Sequence, residues 1–522
     1  MFLVKYSVVL ITLSVLQSDA ARILAVYPTP SISHQVAFRP LTLELLKRGH
    51  EVVVLTTDPI FKEGEAPANL TEIDLHNISY TEWRNEILSP DFKTGEGNNY
   101  EDQLRKFIEL MNELLRKQMS SDEVQKIIKD KSKKFDLLLL EAYVLPLIGF
   151  SHVFNAPVIL VSSFGQVLQT LEITGSAMHP FLYPVLTHRR IHNLSLWEKF
   201  KELYSDFLYV KMLHEFEPIH DELAQQTLGP MPSLYELRQN VAMVFVNIHP
   251  IWEGNRPVPP NVIFIGGIHQ NLKKELPKDL KTYLDSSKTG VIYISFGTNV
   301  DPALLPPEKI QMILKAFGKL SYDVLWKWDH DELPGRTKNI KISKWLPQSE
   351  LLTHPNVKLF ITQGGLQSSE EAITAGVPMI GIPLLADQWY NVEQYVYHKI
   401  GIQLNIETLT TELFYDSIKE ILTWTVFGFY RQNIKHLHTL LYDQPQSPLE
   451  RAIWWTEHVL RHRGAKHLRA AGFNISWTEF LELKLVFYVL LVIISVFVLI
   501  TLITCKLYKA LTRKSEKINS KH

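Results

Sequence analysis

The stretch from residue 345 to 388 constrains the fold of this chain more than any other. An apolar run at Lys358–Thr362 is followed at once by Gly364 and Gly365, then by a helix-forming stretch and a second apolar run at Val377–Ile382. Short apolar runs are typical of parallel strands that are buried on both faces. The order strand, glycine turn, helix, strand therefore predicts a parallel α/β sheet.

The glycine pair between the first run and the helix indicates a site for an anion. Residues without a Cβ atom let the backbone approach a ligand closely, and the start of a helix offers unpaired N–H groups and the positive end of its dipole. Asp387 and Gln388 follow the second run and carry side chains suited to hydroxyl groups. A phosphate site beside a hydroxyl-binding site predicts a nucleotide-activated sugar as the ligand.

The same segment resembles the signature of a known family. Its motifs are Trp345-Leu-Pro-Gln348, Gln363-Gly-Gly365 and Asp387-Gln388, and together they resemble those of the UDP-glycosyltransferases, the membrane-bound glucosyl- and glucuronosyltransferases. Many members have His where this chain has Gln363, and the form Gln-Gly-Gly-Leu-Gln-Ser resembles the insect branch, which mostly uses UDP-glucose. The resemblance covers nearly all of the chain from about residue 21 to 484. It implies an α/β fold of the GT-B class, in which two facing Rossmann-like domains enclose the active site and a single transmembrane helix follows.

The N-terminal half begins with an apolar run at Arg22–Tyr27, a predicted helix from His34 to about Leu46, and a second run at Glu51–Thr56. This βαβ pattern lacks GxGxxG and so does not predict a dinucleotide site. His34 lies at the carboxyl end of the first strand, where open α/β sheets bind ligands, and a neutral imidazole there suits a general base. A lone histidine more often only packs or caps. Ser33-His34 matches the family's catalytic Ser-His, however, so the resemblance implies that His34 is the base.

An acidic residue, Glu141, follows another apolar run, Phe135–Leu140. The family usually has Asp at this position, as the partner that orients the catalytic imidazole, and the resemblance implies the same role for Glu141. Its side chain is one methylene longer than that of Asp but can still accept a hydrogen bond from the distal ring N–H. The alternative, that Glu141 pairs with a basic group elsewhere, stays open.

Several further residues are assigned to the UDP-sugar. Ser295 and Thr298 carry hydroxyl groups that can donate to phosphate, although a plain strand-to-helix turn is the alternative. Trp345 can stack on a planar base or fill the core, and the family match favours uracil stacking. The resemblance assigns Gln348 to the base or ribose and Glu371 to the ribose hydroxyls. The predicted UDP-sugar set is Ser295, Thr298, Trp345, Gln348, Gln363, Gly364, Gly365, Glu371, Asp387 and Gln388.

No metal ion or other cofactor is expected. Asp329 and Asp331 form an Asp-x-Asp pair, which marks metal binding in a different glycosyltransferase architecture, but the turn sequence after them favours a solvated loop. The glycine turn and the helix start can stabilise a diphosphate without a metal ion. The single cysteine, Cys505, lies in an apolar run near the C-terminus, so no disulfide is expected. The formal net charge of −1 gives no reason to expect nucleic acid as a partner.

Both ends of the chain predict entry into the secretory pathway. Lys5 and the apolar run after it are typical of a signal peptide, with cleavage after Ala20. Leu485–Cys505 is uncharged and long enough to cross a bilayer, and the basic residues after it place the tail in the cytosol. Residence in the endoplasmic reticulum membrane is inferred from the family, and gives a single-pass type I protein with lumenal catalytic domains. Four sequons lie on the predicted lumenal side, at Asn69, Asn77, Asn193 and Asn474.

The predicted organisation has seven parts, for which a chain of 522 residues with 46% hydrophobic content is long and apolar enough. They are a signal peptide at 1–20, an N-terminal acceptor-binding domain at 21–269, a linker at 270–288, a C-terminal UDP-sugar-binding domain at 289–445, helices packing back toward the N-terminal domain at 446–484, a transmembrane helix at 485–505 and a basic cytosolic tail at 506–522. For the basic stretch at 447–476, a helix lying on the bilayer surface is the alternative.

The resulting prediction is an inverting glycosyltransferase that moves a hexose, glucose before others, from a UDP-sugar to a hydroxyl group of a small lipophilic acceptor. The product is a β-glycoside, and the role is detoxification or inactivation. Two alternatives are a lipid glycosyltransferase and a non-catalytic lumenal carrier of lipophilic ligands. The acceptor, the choice among glucose, galactose and glucuronate, and the oligomeric state, including a homo-oligomer, stay open.

Overall fold

The computed structural model describes residues 20–87, 100–130, 132–270 and 275–519. The predicted signal peptide, except for Ala20, lies outside the described residues. Residues 271–274 of the predicted linker and the last three residues of the predicted tail lie outside them as well. The chain divides after Ala470 into two compact units, which are described separately.

The larger unit contains two parallel β-sheets, the first of which has seven strands in the order β3-β2-β1-β4-β5-β6-β7. Its inner strands are buried almost completely, which explains their near-continuous apolar sequences. The strands are β1 (Arg22–Tyr27), β2 (Glu51–Thr56), β3 (Leu70–Asp74), β4 (Leu137–Glu141), β5 (Val158–Ser162), β6 (Val241–Val246) and β7 (Val262–Phe264).

Helices cover this first sheet and form its crossovers. They are α1 (Ile32–Lys47), α2 (His76–Ile87), α3 (Tyr100–Met119), α4 (Asp122–Lys129), α5 (Phe150–Phe154), α6 (Leu168–Thr174), α7 (Leu196–Leu228) and α8 (Leu234–Leu237), with 3₁₀ turns at Leu145–Gly149 and Arg238–Asn240. Helix α1 begins two residues before the predicted start, so His34 lies in its first turn. The helix also continues through Pro40.

The second sheet has six strands in the order β10-β9-β8-β11-β12-β13. They are β8 (Val291–Ser295), β9 (Asp323–Lys327), β10 (Ile340–Ser343), β11 (Val357–Thr362), β12 (Met379–Gly381) and β13 (Gly401–Gln403). Every pairing in this sheet is parallel, for example Phe360 on β11 with Tyr293 on β8 and with Met379 on β12. Its core includes the fully buried side chain of Trp326.

Helices of the second half follow the same α/β alternation. They are α9 (Lys278–Ser286), α10 (Pro307–Gly318), α11 (Gln348–Leu352), α12 (Leu366–Ala375), α13 (Gln388–Tyr397), α14 (Thr411–Leu422), α15 (Trp424–Tyr442) and α16 (Pro448–His462), with 3₁₀ turns at Pro302–Leu304 and Lys466–Leu468. Helix α9 falls within the stretch predicted as linker. Helix α12 starts directly after the glycine pair, with Gly365 as its N-cap and Gly376 in the left-handed conformation at its C-terminus.

The last helix of this unit, α16, returns to the first sheet. Ala452, Ile453 and Val459 belong to the hydrophobic core that β1, β2, β4 and α1 build. The Arg451 guanidinium donates to the carbonyl of Phe264 at 2.9 Å. The helix therefore packs as a part of the first half, although its sequence follows the second half.

The chain thus crosses between the two halves twice, and the two crossings lie side by side. The hydroxyl of Tyr442, at the end of α15, donates to Oε1 of Gln270 at 3.1 Å. A Cβ atom at Gly267 would lie 3.3 Å from the ring of the same tyrosine. Tyr442 can therefore pack closely against the chain at Gly267 because this residue has no side chain.

The smaller unit contains α17 (Trp477–Phe480) and α18 (Leu483–Asn519). Within α18, Leu483–Arg513 is long and apolar enough to cross a membrane by its length and composition, and an 18-residue stretch of it has a mean hydropathy of 3.2. This span is longer than the predicted 485–505 at both ends. Apolar side chains such as Phe487, Leu491 and Phe497 are exposed along it.

Candidate active site

A cleft between the two sheets of the larger unit encloses a cavity of about 670 Å³. Residues that follow β1, β4 and β5 line one side of it, and residues that follow β8, β11 and β12 line the other. The carboxyl ends of both sheets therefore face the cavity, which is where open parallel sheets bind ligands. Of the predicted site residues, His34 and nine of the ten residues of the UDP-sugar set line it, whereas Gly364 and Glu141 do not.

His34 and Glu141 form a hydrogen-bonded pair at the wall of this cavity. Nδ1 of His34 lies 2.9 Å from Oε1 of Glu141, and the other carboxylate oxygen accepts from the backbone N–H of Thr29 at 3.2 Å. Glu141 is fully buried, whereas 15% of the imidazole is exposed. Because β1 and β4 are neighbours in the sheet, the residues after them are brought together. This arrangement orients the ring and leaves its Nε2 side for a ligand.

An aromatic wall surrounds the imidazole. The rings of Tyr143 and Phe164 each meet His34 edge to face, with centroids 5.7 Å away, and they stack on each other at 5.6 Å. Tyr143 also places its hydroxyl 3.3 Å from Nδ1 of His34, and that hydroxyl bonds Oγ1 of Thr29. Burial raises the pKa of Tyr143 well above its usual value. The phenol therefore stays protonated beside the base.

The glycine turn after β11 is held by close packing. Gly364 has a φ of +88°, and a Cβ atom there would overlap Cγ2 of Val392. Its carbonyl accepts from Nδ2 of Asn391 at 2.9 Å. Gly365 caps α12 without a side-chain hydrogen bond, so the first N–H groups of that helix remain for a ligand in the cavity.

Gln363 lies at the same turn, over a second glycine. Its Oε1 accepts from the hydroxyl of Thr362 at 3.2 Å, and its Nε2 occupies the place that a Cβ atom at Gly297 would need. Gly297 has a φ of +78°, and its N–H donates to Oγ of Ser295 at 3.3 Å. The turns after β8 and β11 thus interlock. The hydroxyl oxygen of Ser295 already accepts a hydrogen bond within the turn after β8.

Asp387 and Gln388 stand at the start of α13 and differ in what they leave for a ligand. Asp387 accepts from Nδ2 of Asn391 at 2.9 Å. Burial raises its pKa, while the hydrogen bond from Asn391 and the charge of His34 act in the opposite direction. Gln388 turns its oxygen back to accept from the N–H groups of Leu384 and Leu385, both at 2.8 Å. That leaves the amide NH₂ of Gln388 as the group that can donate into the cavity.

Gln348 and Glu371 belong to one polar network. Oε1 of Gln348 accepts from the hydroxyl of Tyr293 at 2.9 Å, and its Nε2 donates to Glu371 at 2.7 Å and to Ser368 at 2.9 Å. Burial raises the pKa of Glu371 to about 7, against the hydrogen bond from Gln348. Both ends of the Gln348 amide are therefore engaged within the protein, and Glu371 is the member that keeps acceptor capacity.

Trp345 and Thr298 are the exposed members of the predicted set. The Trp345 side chain is 64% exposed at the cavity, so it does not fill the core and presents a ring face to solvent. Thr298 is likewise exposed beside the cavity.

Contacts between the two halves surround the site, and the sequence analysis did not find them. Trp252 donates from its indole to Oδ1 of Asn391 at 2.9 Å. Ser31 donates to Asn299 at 2.9 Å, and the amide of Gln367 donates to the carbonyl of Ser163 at 2.8 Å. Separations of 139 to 268 residues carry no periodic signal. For Asn391 alone, its place one helical turn after Asp387 was a usable signal.

The Asp-x-Asp pair takes part in ordinary ion pairs. Asp329 contacts Nζ of Lys327 at 2.7 Å, and Asp331 contacts Nζ of Lys344 at 2.9 Å. Within the described ranges, no group of three or more His, Cys, Asp or Glu side chains could hold a metal ion.

The four sequons lie in different surroundings. Asn77 and Asn193 are exposed, and Asn474 is partly exposed. Asn69 instead uses its Nδ2 to donate to the carbonyls of Leu46 and His50, at 3.0 and 2.9 Å. The nitrogen that a glycan would modify is therefore engaged at this one site.

Solved structures with the same architecture are glycosyltransferases. A UDP-glucose:anthocyanidin 3-O-glucosyltransferase crystallised with UDP matches with a TM-score of 0.57 and 17% identity, covering 85% of this chain and all of the other. The glycotransferase of kitacinnamycin matches with a TM-score of 0.54 and 16% identity, covering 84% of this chain and 99% of the other. Two parallel sheets that face a common cleft define the fold as GT-B, as predicted.

The sequence comparisons narrow this class. The family model described as "UDP-glucoronosyl and UDP-glucosyl transferase" matches residues 22–518, and the chain belongs to that family. An ecdysteroid UDP-glucosyltransferase of Spodoptera littoralis nuclear polyhedrosis virus is 33% identical over 94% of this chain and 98% of the viral protein. UDP-glycosyltransferase UGT4 of Dactylopius coccus is 32% identical over 92% and 94% of the two chains, and human UDP-glucuronosyltransferase 2B15 is 29% identical over 94% of each.

The predicted family and enzyme class are therefore confirmed: the chain is a UDP-glycosyltransferase that takes a UDP-sugar donor and a small acceptor. The apolar helix at Leu483–Arg513 together with this family membership indicates a single-pass membrane protein.

Proposed function

We propose that this enzyme transfers glucose from UDP-glucose to a hydroxyl group of a small lipophilic acceptor, with inversion at the anomeric carbon. The single observation that carries the proposal is the His34–Glu141 pair in a cavity that also contains the glycine turn and Asp387. A base on one wall and a diphosphate-binding turn on the other are the two requirements for a direct displacement.

In the proposed reaction, Nε2 of His34 takes the proton of the acceptor hydroxyl as its oxygen bonds to the anomeric carbon. The bond between that carbon and the oxygen of the β-phosphate breaks, and UDP leaves with the electron pair. Glu141, held by the N–H of Thr29, stabilises the imidazolium that results. Base catalysis of this type contributes about 10²–10⁴-fold. One displacement from the face opposite UDP inverts the centre and gives a β-glucoside.

The leaving diphosphate is assigned to the turn at Gln363, Gly364 and Gly365. The first residues of α12, Leu366 and Gln367, line the cavity, and the unpaired N–H groups and dipole at a helix start favour negative charge. A neutral amide at Gln363 gives a weaker hydrogen bond than a protonated imidazole would, because charge-assisted bonds are roughly twice as strong. The backbone donors therefore carry most of the stabilisation, and the reaction proposed here needs no metal ion.

The remaining donor residues are assigned by what each has left to offer. Trp345 presents an exposed ring for uracil. The amide of Gln348 is engaged at both ends, so its contact with the base or ribose is assigned to the side-chain surface at the cavity, beside Glu371. Glu371 accepts from the ribose hydroxyls, and Ser295 and Thr298 donate to phosphate. Asp387 and the NH₂ group of Gln388 bind the sugar hydroxyls.

Glucose is favoured over glucuronate by the charges at the cavity. Among the described residues that line it, Lys327 is the one Lys or Arg, and its Nζ contacts both oxygens of Asp329 at 2.7 Å. A sugar carboxylate would find no cation of its own there. Relatives named as ecdysteroid UDP-glucosyltransferases support the same choice.

A lipophilic acceptor is favoured by the wall around His34. The aromatic surface of Tyr143 and Phe164 is extended around the cavity by further apolar side chains. They are Trp83, Phe107, Met111 and Leu145. Apolar walls with few polar groups suit a small apolar molecule that carries a hydroxyl. The role that follows is detoxification or inactivation of such molecules at the endoplasmic reticulum membrane, with the larger unit on the lumenal side.

The test is His34→Ala, measured by transfer rate and by calorimetric affinity for UDP. The expected result is a loss of transfer of about 10²–10⁴-fold with UDP affinity nearly unchanged, because His34 lies on the wall opposite the diphosphate turn. Transfer at the native rate would remove His34 from the mechanism. Mass analysis of the product from an equimolar pool of UDP-glucose, UDP-galactose and UDP-glucuronate identifies the sugar.

A further inference from the structure

The first half of α7 has its polar and apolar faces reversed with respect to the protein. Glu198, Glu202 and Asp206 lie one helical turn apart and face inward, where each is no more than about a third exposed. The apolar residues between them face outward. Surface helices of soluble domains show the opposite arrangement.

The inward carboxylates are paired with the loop before the helix. His188, whose side chain is 4% exposed, contacts Glu202 at 3.3 Å through Nδ1 and Asp206 at 2.6 Å through Nε2. The guanidinium of Arg190 lies 3.4 Å from Glu198. These contacts fix the rotation of the helix about its axis, so the outward direction of the apolar residues is a defined property of the fold.

The outward face is a continuous apolar stripe. Its members repeat at helical spacing, and each is half exposed or more, from 50% for Leu203 to 87% for Leu196. Trp197 and Phe200 stack on each other at 5.6 Å. The stripe consists of Leu196, Trp197, Phe200, Leu203, Tyr204 and Phe207.

The composition of the stripe fits a lipid bilayer surface. Lys199 and Lys201 flank it, both exposed, with their ammonium groups near the rings of Phe181 and Trp197. Trp and Tyr favour the boundary between lipid and water, and flanking lysines complement anionic headgroups. The chain also carries the apolar helix Leu483–Arg513, so a bilayer is the surface to which this protein is attached.

A second copy of the chain fits less well as the occupant. The stripe is a single helix face about 17 Å long, whereas a stable protein interface buries about 1,200–2,000 Å². A helix that lies in a membrane interface needs only one apolar face of this kind.

The helix that carries the stripe also borders the catalytic cavity, through its opposite face. Tyr209 and Leu213 follow Asp206 on the inward face of α7 and line the cavity, as do Val185 and Leu186 from the preceding loop. The same helix therefore has one face at the cavity and another, earlier in its length, at the protein surface.

We infer that the stripe on α7 lies in the interface of the membrane that holds the C-terminal helix. The catalytic unit then contacts the bilayer directly. The docking is independent of the proposed reaction, since it rests on the outer face of the helix alone.

The experiment uses the full chain in lipid nanodiscs of phosphatidylcholine and phosphatidylserine that hold one copy each. Cys505, the single cysteine, is replaced by Ala, and a spin label is attached to Phe200→Cys or, in a second variant, to Phe207→Cys. Relaxation by oxygen, which concentrates in lipid, is compared with relaxation by a nickel chelate, which stays in water. The matched control is Lys315→Cys on α10, an exposed position far along the chain from the stripe.

The expected result is that oxygen relaxes both stripe labels more than the nickel chelate does, with the reverse order at position 315. Nickel accessibility at both stripe positions equal to that of the control overturns the inference. Shielding that appears only in nanodiscs with two copies assigns the stripe to a second copy and overturns it as well.

Discussion

Trp252 and Asn391 join the two halves of the molecule through a hydrogen bond of 2.9 Å between the indole N–H and Oδ1. The same asparagine donates to the carbonyl of Gly364 and to Asp387. One buried side chain therefore sets the position of the diphosphate turn and of a proposed sugar-binding carboxylate relative to the first half.

Asn391→Ala is expected to destabilise the protein. It leaves the indole N–H, the Gly364 carbonyl and an Asp387 oxygen without this partner, and an unsatisfied buried group costs about 1–3 kcal/mol. Urea unfolding measures the loss. Trp252→Phe is the comparison variant: it removes the indole donor and some buried volume but leaves Asn391 bonded to Gly364 and Asp387, so its effect on the diphosphate turn should be smaller. An equal effect of both variants would show that Asn391 matters only for the contact between halves.

Glu141→Gln is expected to reduce kcat by about 10²–10⁴-fold without changing UDP affinity. The amide keeps the volume of the fully buried side chain but removes the charge that stabilises the imidazolium. Glu141→Asp keeps the charge and should lose less, although the shorter side chain moves away from Nδ1 of His34. Tyr143→Phe controls for the neighbouring hydroxyl. If Glu141→Gln retained full kcat, the carboxylate would have no role in orienting His34 or in stabilising its imidazolium form.

Gly364→Ala is expected to lower the free energy of unfolding by about 1–2 kcal/mol from the left-handed backbone alone, and by more because the new Cβ overlaps Val392. Gly365→Ala is the matched control. Its φ is −61° and the nearest atom to a new Cβ is Nε2 of Gln363 at 3.3 Å. Denaturation of both variants side by side separates the strain at the turn from a general effect of adding a methyl group.

UDP-glucose affinity is expected to rise with pH between about pH 6 and 8. Burial raises the pKa of Glu371 to about 7, and ribose hydroxyls donate best to the ionised carboxylate. Calorimetry over this range should show the rise in the native chain and in Glu370→Gln, and a flat profile in Glu371→Gln. A pH-dependent affinity that survives in Glu371→Gln would assign the titration to another group.

Ionisation of these buried glutamates should lower the stability of the ligand-free chain, although ionisation of Glu371 raises the affinity for UDP-glucose. Burial raises the pKa of Glu370 to about 8 as well, whereas an unfolded glutamate titrates near 4.3, roughly. Between these values the folded state binds more protons than the unfolded state, so the free energy of unfolding falls as pH rises through the window. Each of the Glu→Gln variants at 370 and 371 should reduce that slope.

The sequence predicted the parts of the fold that depend on local pattern. Buried parallel strands such as β4 and β11 are continuous apolar runs, and Gly364 and Gly365 mark the turn between strand and helix. The contact of His34 with Glu141 could also be predicted, because both residues follow strands at the same edge of one sheet. The start of α12 at Leu366 has no clear signal in the sequence, since Ser368 and Ser369 are typical cap residues but lie inside the helix.

The features that depend on tertiary contacts could not be predicted in the same way. Nothing near Ser31 or Trp252 in the sequence indicates Asn299 or Asn391 as a partner. The spacing of Trp197, Phe200 and Tyr204 predicts an amphipathic helix but not which face is outside. That choice depends on His188 and Arg190, which lie in a loop without periodicity.

The pairing of Tyr442 with Gln270 has a consequence for turnover. Both chain segments that link the halves pass through this one place, so it forms a pivot. The rest of the boundary is held by non-covalent contacts, such as the Arg190–Glu393 ion pair and the hydrogen bonds to Trp252. Rotation about the pivot would separate Ser31 from Asn299 and leave each sheet intact. Release of UDP would then require the loss of those bonds and no local unfolding.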